Sequence, residues 1–139
     1  MDPLSISVSV LTILSTLSAV LRDVKEFYEA PKQIDTLAKD IEDLEFVVRL
    51  VAETLTAPQK NVPQGATTTI TRLLARAKEE LQHLEKILSR SLTVPTSGAD
   101  KLRYRRFGWL RERSNVDDAR ARLLTIKADL STSLTASVL

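Results

Sequence analysis

The segment KLRYRRFGWLRER, residues 101–113, holds the densest chemistry in the chain. Lys101, Arg103, Arg105, Arg106, Arg111 and Arg113 set six positive charges against one acid, Glu112, with Tyr104, Phe107 and Trp109 between them. Three readings fit this mix. Cations draw anionic lipid at about 1 kcal/mol each, while Trp and Tyr favour the headgroup layer. The same side chains suit a phosphate backbone and stacked bases. In the third reading Phe107, Trp109 and Leu110 close one end of a core, and the arginines pair with acids of an earlier segment, Asp40, Glu42, Asp43 and Glu45. Nucleic acid is the least favoured of the three.

Catalysis has little to work with. His83 is the only histidine, set between Gln82 and Leu84 near Glu79 and Glu80. No nucleophile or orienting group stands at a useful spacing, so it reads as a surface residue. Glu79/Glu80 and Asp117/Asp118 are neighbours in sequence, which on a helix separates them by about 100°, too far to share a proton. They read as solvated. Gly65, Gly98 and Gly108 are isolated, so no phosphate-cradling loop exists. The absence of cysteine excludes disulfides, thiolate metal sites and cysteine nucleophiles. The expectation is a non-enzyme without cofactor, metal or small-molecule substrate.

Helices must position whatever surface does act. Ile34, Leu37, Ile41, Leu44, Val48, Val51 and Leu55 recur at alternating steps of three and four, one helical face over three heptads. Pro31 precedes them, where a first helical turn accepts proline. Phe46, Val47, Leu50 and Ala52 are expected to widen that face into a bundle core. Residues 57–66 form a breaker cluster. Ile70, Leu74, Ala77, Leu81, Leu84 and Leu88, with Leu73 and Ile87, then mark a third helix starting near Thr67–Thr69. Residues 93–100 end it. The basic segment is expected as a short extra helix or ordered connection interrupted at Gly108. Ser114 and Asp117 look like the cap and acidic partner of a last helix carrying Val116, Ala119, Leu123, Ile126 and Leu130. The tail from 131 is expected to fray. The sum is an all-α antiparallel bundle of four main helices, one domain over 1–139.

The first helix is the unusual one. Residues 3–21 carry no charge, and seven of those nineteen are Ser or Thr. An acid at Asp2 argues against a signal peptide, and the run is far longer than a strand of about 5–6 residues. On a helix, Ser5, Ser9, Thr12, Thr16 and Asp23 form a narrow stripe. Ile6, Val10, Ile13, Leu14, Leu17, Val20, Leu21 and Val24 form a broad face, and Leu4, Val8, Leu11 and Ala19 cover much of the far side. A helix apolar nearly all round suits a core or a membrane. Its length, about 28 Å, approaches the bilayer's hydrocarbon thickness of about 30 Å. The hydroxyls weaken a permanent span, although in a helix they can bond back to the carbonyl four residues earlier. A buried helix able to leave its bundle fits both solvents. The candidate inserting residues are Leu4, Ile6, Val8, Val10, Leu11, Ile13, Leu14 and Leu17.

Charge is unevenly placed along the chain. Residues 22–53 carry five basic and nine acidic groups, a balance of −4, and residues 101–122 carry eight and three, a balance of +5.

Met1 to Ile6, Asp23-Val24-Lys25, Ala30-Pro31-Lys32 and the basic aromatic run ending in Trp109-Leu110 resemble the fungal N-terminal HeLo-like domain of STAND (NOD-like receptor) proteins. The resemblance covers almost the whole chain and is most specific over residues 1–32. It implies a helical bundle that executes or signals regulated cell death, by self-association and by membrane damage through the N-terminal helix. The expected setting is cytoplasmic at rest and membrane-associated on activation, with anionic lipid the partner that the basic segment suits. The chain is expected to be either the N-terminal part of a longer protein or a stand-alone version of the domain. An adaptor bundle that binds itself or related bundles without touching lipid is the alternative.

Overall fold

In the computed structural model the backbone is described over four helices: α1 Pro3–Phe27, α2 Lys32–Thr56, α3 Gln64–Leu92 and α4 Gly98–Val138. Side chains within them are described except at residues 3, 20, 23–27, 33, 64, 89–92, 98–111 and 137–138. No strand occurs among the described residues.

Proline placement explains the divisions. Pro3 opens α1, Pro31 sits directly before Lys32, Pro58 and Pro63 fall between α2 and α3, and Pro95 falls between α3 and α4. Each position tolerates a missing N–H, whereas a helix interior does not. Beyond Pro95 there is no further proline, and α4 runs unbroken for 41 residues. This corrects three expectations. The segment 101–113 is the first part of α4 rather than a separate short helix. Ser114 is interior to α4 rather than its cap, and the tail stays helical to Val138. A glycine such as Gly108 costs about 1 kcal/mol relative to alanine, too little to break a helix anchored downstream by packing. α3 likewise starts at Gln64, a turn before the expected Thr67–Thr69.

The seams build one core. Ile6, Val10, Leu14, Leu17 and Leu21 of α1 are buried with Ile34, Leu37, Ile41, Leu44, Val48 and Val51 of α2. Ile70, Leu73, Leu74, Ala77, Leu81, Leu84, Ile87 and Leu88 of α3 and Val116, Ala119, Leu123, Ile126 and Leu130 of α4 complete it. Each fully buried Leu or Ile contributes about 1.5–3 kcal/mol over the exposed state.

α1 packs on α2 and α3, and α4 packs on the same two, so α1 faces α4 across one diagonal and α2 faces α3 across the other. Asp40 pairs with Arg120, and Asp43 with Lys127 further along both helices, so α2 and α4 run parallel. Four residues join α1 to α2 and five join α3 to α4, which forces those neighbours to be antiparallel. Seven residues separate α2 from α3 in the sequence, a length whose extended reach of about 23 Å allows two helices that are not neighbours.

Two apolar residues expected in the core lie outside it. Phe46 is 64% exposed and Leu50 38% exposed. Phe46 stands two residues before the fully buried Val48, about 200° around the helix from it. Val47, by contrast, packs against the core as expected.

Gly65 sits in the first turn of α3 with nothing within 4 Å of a built Cβ and no positive φ. Gly65→Ala should therefore raise stability by about 0.5 kcal/mol, while Leu81→Ala should lower it by about 2–5 kcal/mol. Urea unfolding followed by circular dichroism reads both.

Candidate functional site

α1 shows one apolar face inward and one hydroxyl-bearing face outward. Ser5, Thr12, Ser15 and Thr16 are exposed, and Thr12 donates to the Val8 carbonyl at 2.9 Å while Thr16 donates to the Thr12 carbonyl at 3.1 Å. Those two hydroxyls carry their partners on their own helix, which bonding to the carbonyl four residues back allows.

The eight candidate inserting residues separate. Ile6, Val10, Leu14 and Leu17 are buried, Leu11 and Ile13 pack partly buried against the core, Leu4 is half-buried, and Val8 is 59% exposed. The helix is thus covered on one side only, and its far side is in water. Ser7 is fully buried, a position no polar stripe drawn from the sequence included.

Charge cannot hold α1 along its uncharged run, because residues 3–21 have no ionisable side chain. The other three helices differ. Arg120 Nε donates to Asp40 Oδ2, Arg122 Nε reaches Glu80 Oε1 at 2.9 Å, and Lys127 lies 4.0 Å from Asp43. The interhelical ion pairs among the described residues therefore all join α4 to α2 or α3. Glu80 is consequently not the solvated acid expected: Arg122 takes one oxygen, and the other is buried without a hydrogen-bond partner. His83, Glu79, Asp117 and Asp118 are exposed, as the sequence suggests.

The joint between α1 and α2 is incompletely packed. Ser18 Oγ is buried without a hydrogen-bond partner, beside a cleft of about 150 Å³ lined by Ser18, Arg22, Ala38 and Glu42. An unsatisfied buried hydroxyl weakens the contact that contains it.

Of the basic segment, the side chains of Lys101, Arg103, Arg105, Arg106, Trp109 and Arg111 lie outside the described residues, as do Tyr104, Phe107 and Leu110. Arg113 is exposed. Glu112, the acid within that segment, is buried and accepts from Asn115 Nδ2 at 2.8 Å. Three acids offered to those arginines are met elsewhere: Asp40 by Arg120, Asp43 by Lys127, and Glu45 by Arg49 at 2.7 Å. Between α2 and the described side chains of α4, the charge matching is made by Arg120 and Lys127.

Among the described residues no group of three or more His, Asp or Glu is placed to hold a metal. Among them, too, no helix is long and apolar enough to cross a membrane. Compared with family models, with curated proteins and with solved structures, the chain has no match.

The frame is testable by a double-mutant cycle. Asp40→Asn and Arg120→Gln, both partly buried, should couple by about 1 kcal/mol and keep a larger share of it at high salt than an exposed pair does. Glu45→Gln with Arg49→Gln, an exposed pair within one helix, should couple by about 0.3–0.5 kcal/mol.

Proposed function

We propose that this bundle is a membrane-acting domain of the cell-death type, and that α1 is the element it releases into lipid. The observation that carries the reading is the state of α1. It is a helix with an uncharged run of nineteen residues, seated by apolar packing between α2 and α3, with its far side in water. Moving such a face from core to hydrocarbon sacrifices little, since neither environment offers it hydrogen bonds or charge. The hydroxyls of Thr12 and Thr16 keep their partners during such a move.

Two further points support the reading. Residues 101–113 carry the basic and aromatic composition that favours an anionic bilayer surface. The sequence over residues 1–32 resembles the HeLo-like domain, whose relatives are read as acting by oligomerisation and membrane damage. In this account the bundle rests in the cytoplasm, self-associates when triggered, meets anionic lipid through the start of α4 and commits α1. A second reading, an adaptor bundle with no lipid step, is favoured by the exposed Phe46 and Leu50.

The absence of native cysteine permits a direct test. Ser18→Cys and Ala38→Cys, from the two sides of the α1–α2 cleft, can be joined by oxidation or by a short thiol-reactive linker. Vesicles containing anionic lipid should leak dye when the reduced protein is added, retain it with the linked form, and leak again after reduction. Equal leakage in both states removes helix release from the mechanism. Retention at every dose, with no lipid binding, leaves the adaptor reading.

A further inference from the structure

α2 turns its seam inward, and its outer face is left uncovered by the other three helices. At the centre of that face stand Phe46 and Leu50, one turn apart and both exposed. Around them are Lys39, Glu42, Asp43, Arg49 and Glu53, also exposed. Their signs follow a pattern about Phe46. Lys39 lies seven residues before it and Glu53 seven after, on the same ridge line. Glu42, four before, and Arg49, three after, share one flank, while Asp43 and Leu50 share the other.

We infer that this face is self-complementary and docks a second copy of the chain, α2 against α2, antiparallel about a two-fold axis at Phe46. In such an isologous contact each residue meets its opposite number across the axis. Phe46 lies on the partner's Phe46. Glu42 meets the partner's Arg49, and Lys39 meets the partner's Glu53, each twice. On the other flank Leu50 meets the partner's Asp43 beside the aromatic pair, the acid's charge staying at the rim with Lys127. Both kinds of charge pair formed across the axis have opposite signs. A parallel contact through the same residues would set Lys39 and Glu53 each against itself and Glu42 against the partner's Asp43, all like charges.

Nothing in the bundle must move to permit this. Asp40 and Asp43 meet α4 on one side of α2, and Ala38 and Glu42 border the α1 cleft on the other, so the ridge through Phe46 points away from both neighbours. Arg49 is held only by Glu45 within its own exposed helical turn, a weak tie that exchanges readily. Exposed aromatic and apolar pairs ringed by charge are what association surfaces present. The inference deepens the oligomerisation step of the proposed function and rests on that step alone.

Sedimentation of the full chain from micromolar to millimolar concentration should show a monomer–dimer equilibrium. Phe46→Glu, at an exposed position where circular dichroism should remain helical, is expected to weaken it about tenfold or more. Lys39→Glu should weaken it, and Lys39→Glu combined with Glu53→Lys should restore it. Under oxidation Phe46→Cys should form a disulfide-linked dimer. Lys39→Cys should not, since the two copies of that residue lie about 21 Å apart in the antiparallel pair. A chain monomeric throughout, an association unmoved by Phe46→Glu, or equal cross-linking at both cysteines overturns the inference. Dye leakage by a strictly monomeric chain sinks the α2 contact and spares the membrane reading, while dimers inert toward vesicles do the reverse.

Discussion

The structure depends on a division of labour between two kinds of adhesion. α2, α3 and α4 share an apolar core and are also stitched at their flanks by Asp40–Arg120, Asp43–Lys127 and Glu80–Arg122. α1 shares the core, but along residues 3–21 it has nothing with which to form an ion pair. Apolar packing is non-directional, and its strength depends on buried area more than on partner identity. Flanking charge pairs fix register and partner, and weaken with salt. A helical stretch held by the first alone can exchange one apolar environment for another. Helices held by both resist separation.

The square arrangement follows from the same residues. α4 reaches α2 on one side and α3 on the other because Arg120 and Lys127 point one way and Arg122 the other. α1 is then left opposite α4, against the two remaining faces. Its joint with α2 includes Ser18, a hydroxyl without a partner, and a cleft large enough to admit water. Along residues 3–21 the α1 interface is thus without charge of its own, and at Ser18 it is imperfectly filled, which makes this stretch the one most suited to leaving.

Much of this was legible in the chain. Steps of three and four place Ile34 through Val51, Ile70 through Leu88 and Val116 through Leu130 inside, and all three seams are buried. Periodicity reports which face turns inward and nothing about which helices are neighbours. The diagonal placement, and hence the partners of Asp40 and Glu80, needed coordinates. Phe46 and Leu50 were misplaced because apolar character was weighed above angle: about 200° from Val48 is outside whatever the side chain. Gly108 and Ser114 suggested a boundary, but local signals worth about 1 kcal/mol yield to a seam extending over four turns. Ser7 in the core gave no signal, since a small hydroxyl inside a helix reads the same buried or exposed.

The central claim is that α1 opens as a unit of its own. Native-state hydrogen exchange of the full chain, in low denaturant and at two salt concentrations, tests it most directly. The account predicts that amides of residues 4–19 exchange through an opening of lower free energy than the core amides of α2, α3 and α4. Added salt should lower the protection of α4 and leave that of α1 nearly unchanged. Protection lost together in all four helices, in one cooperative unfolding with a single salt dependence, would contradict it.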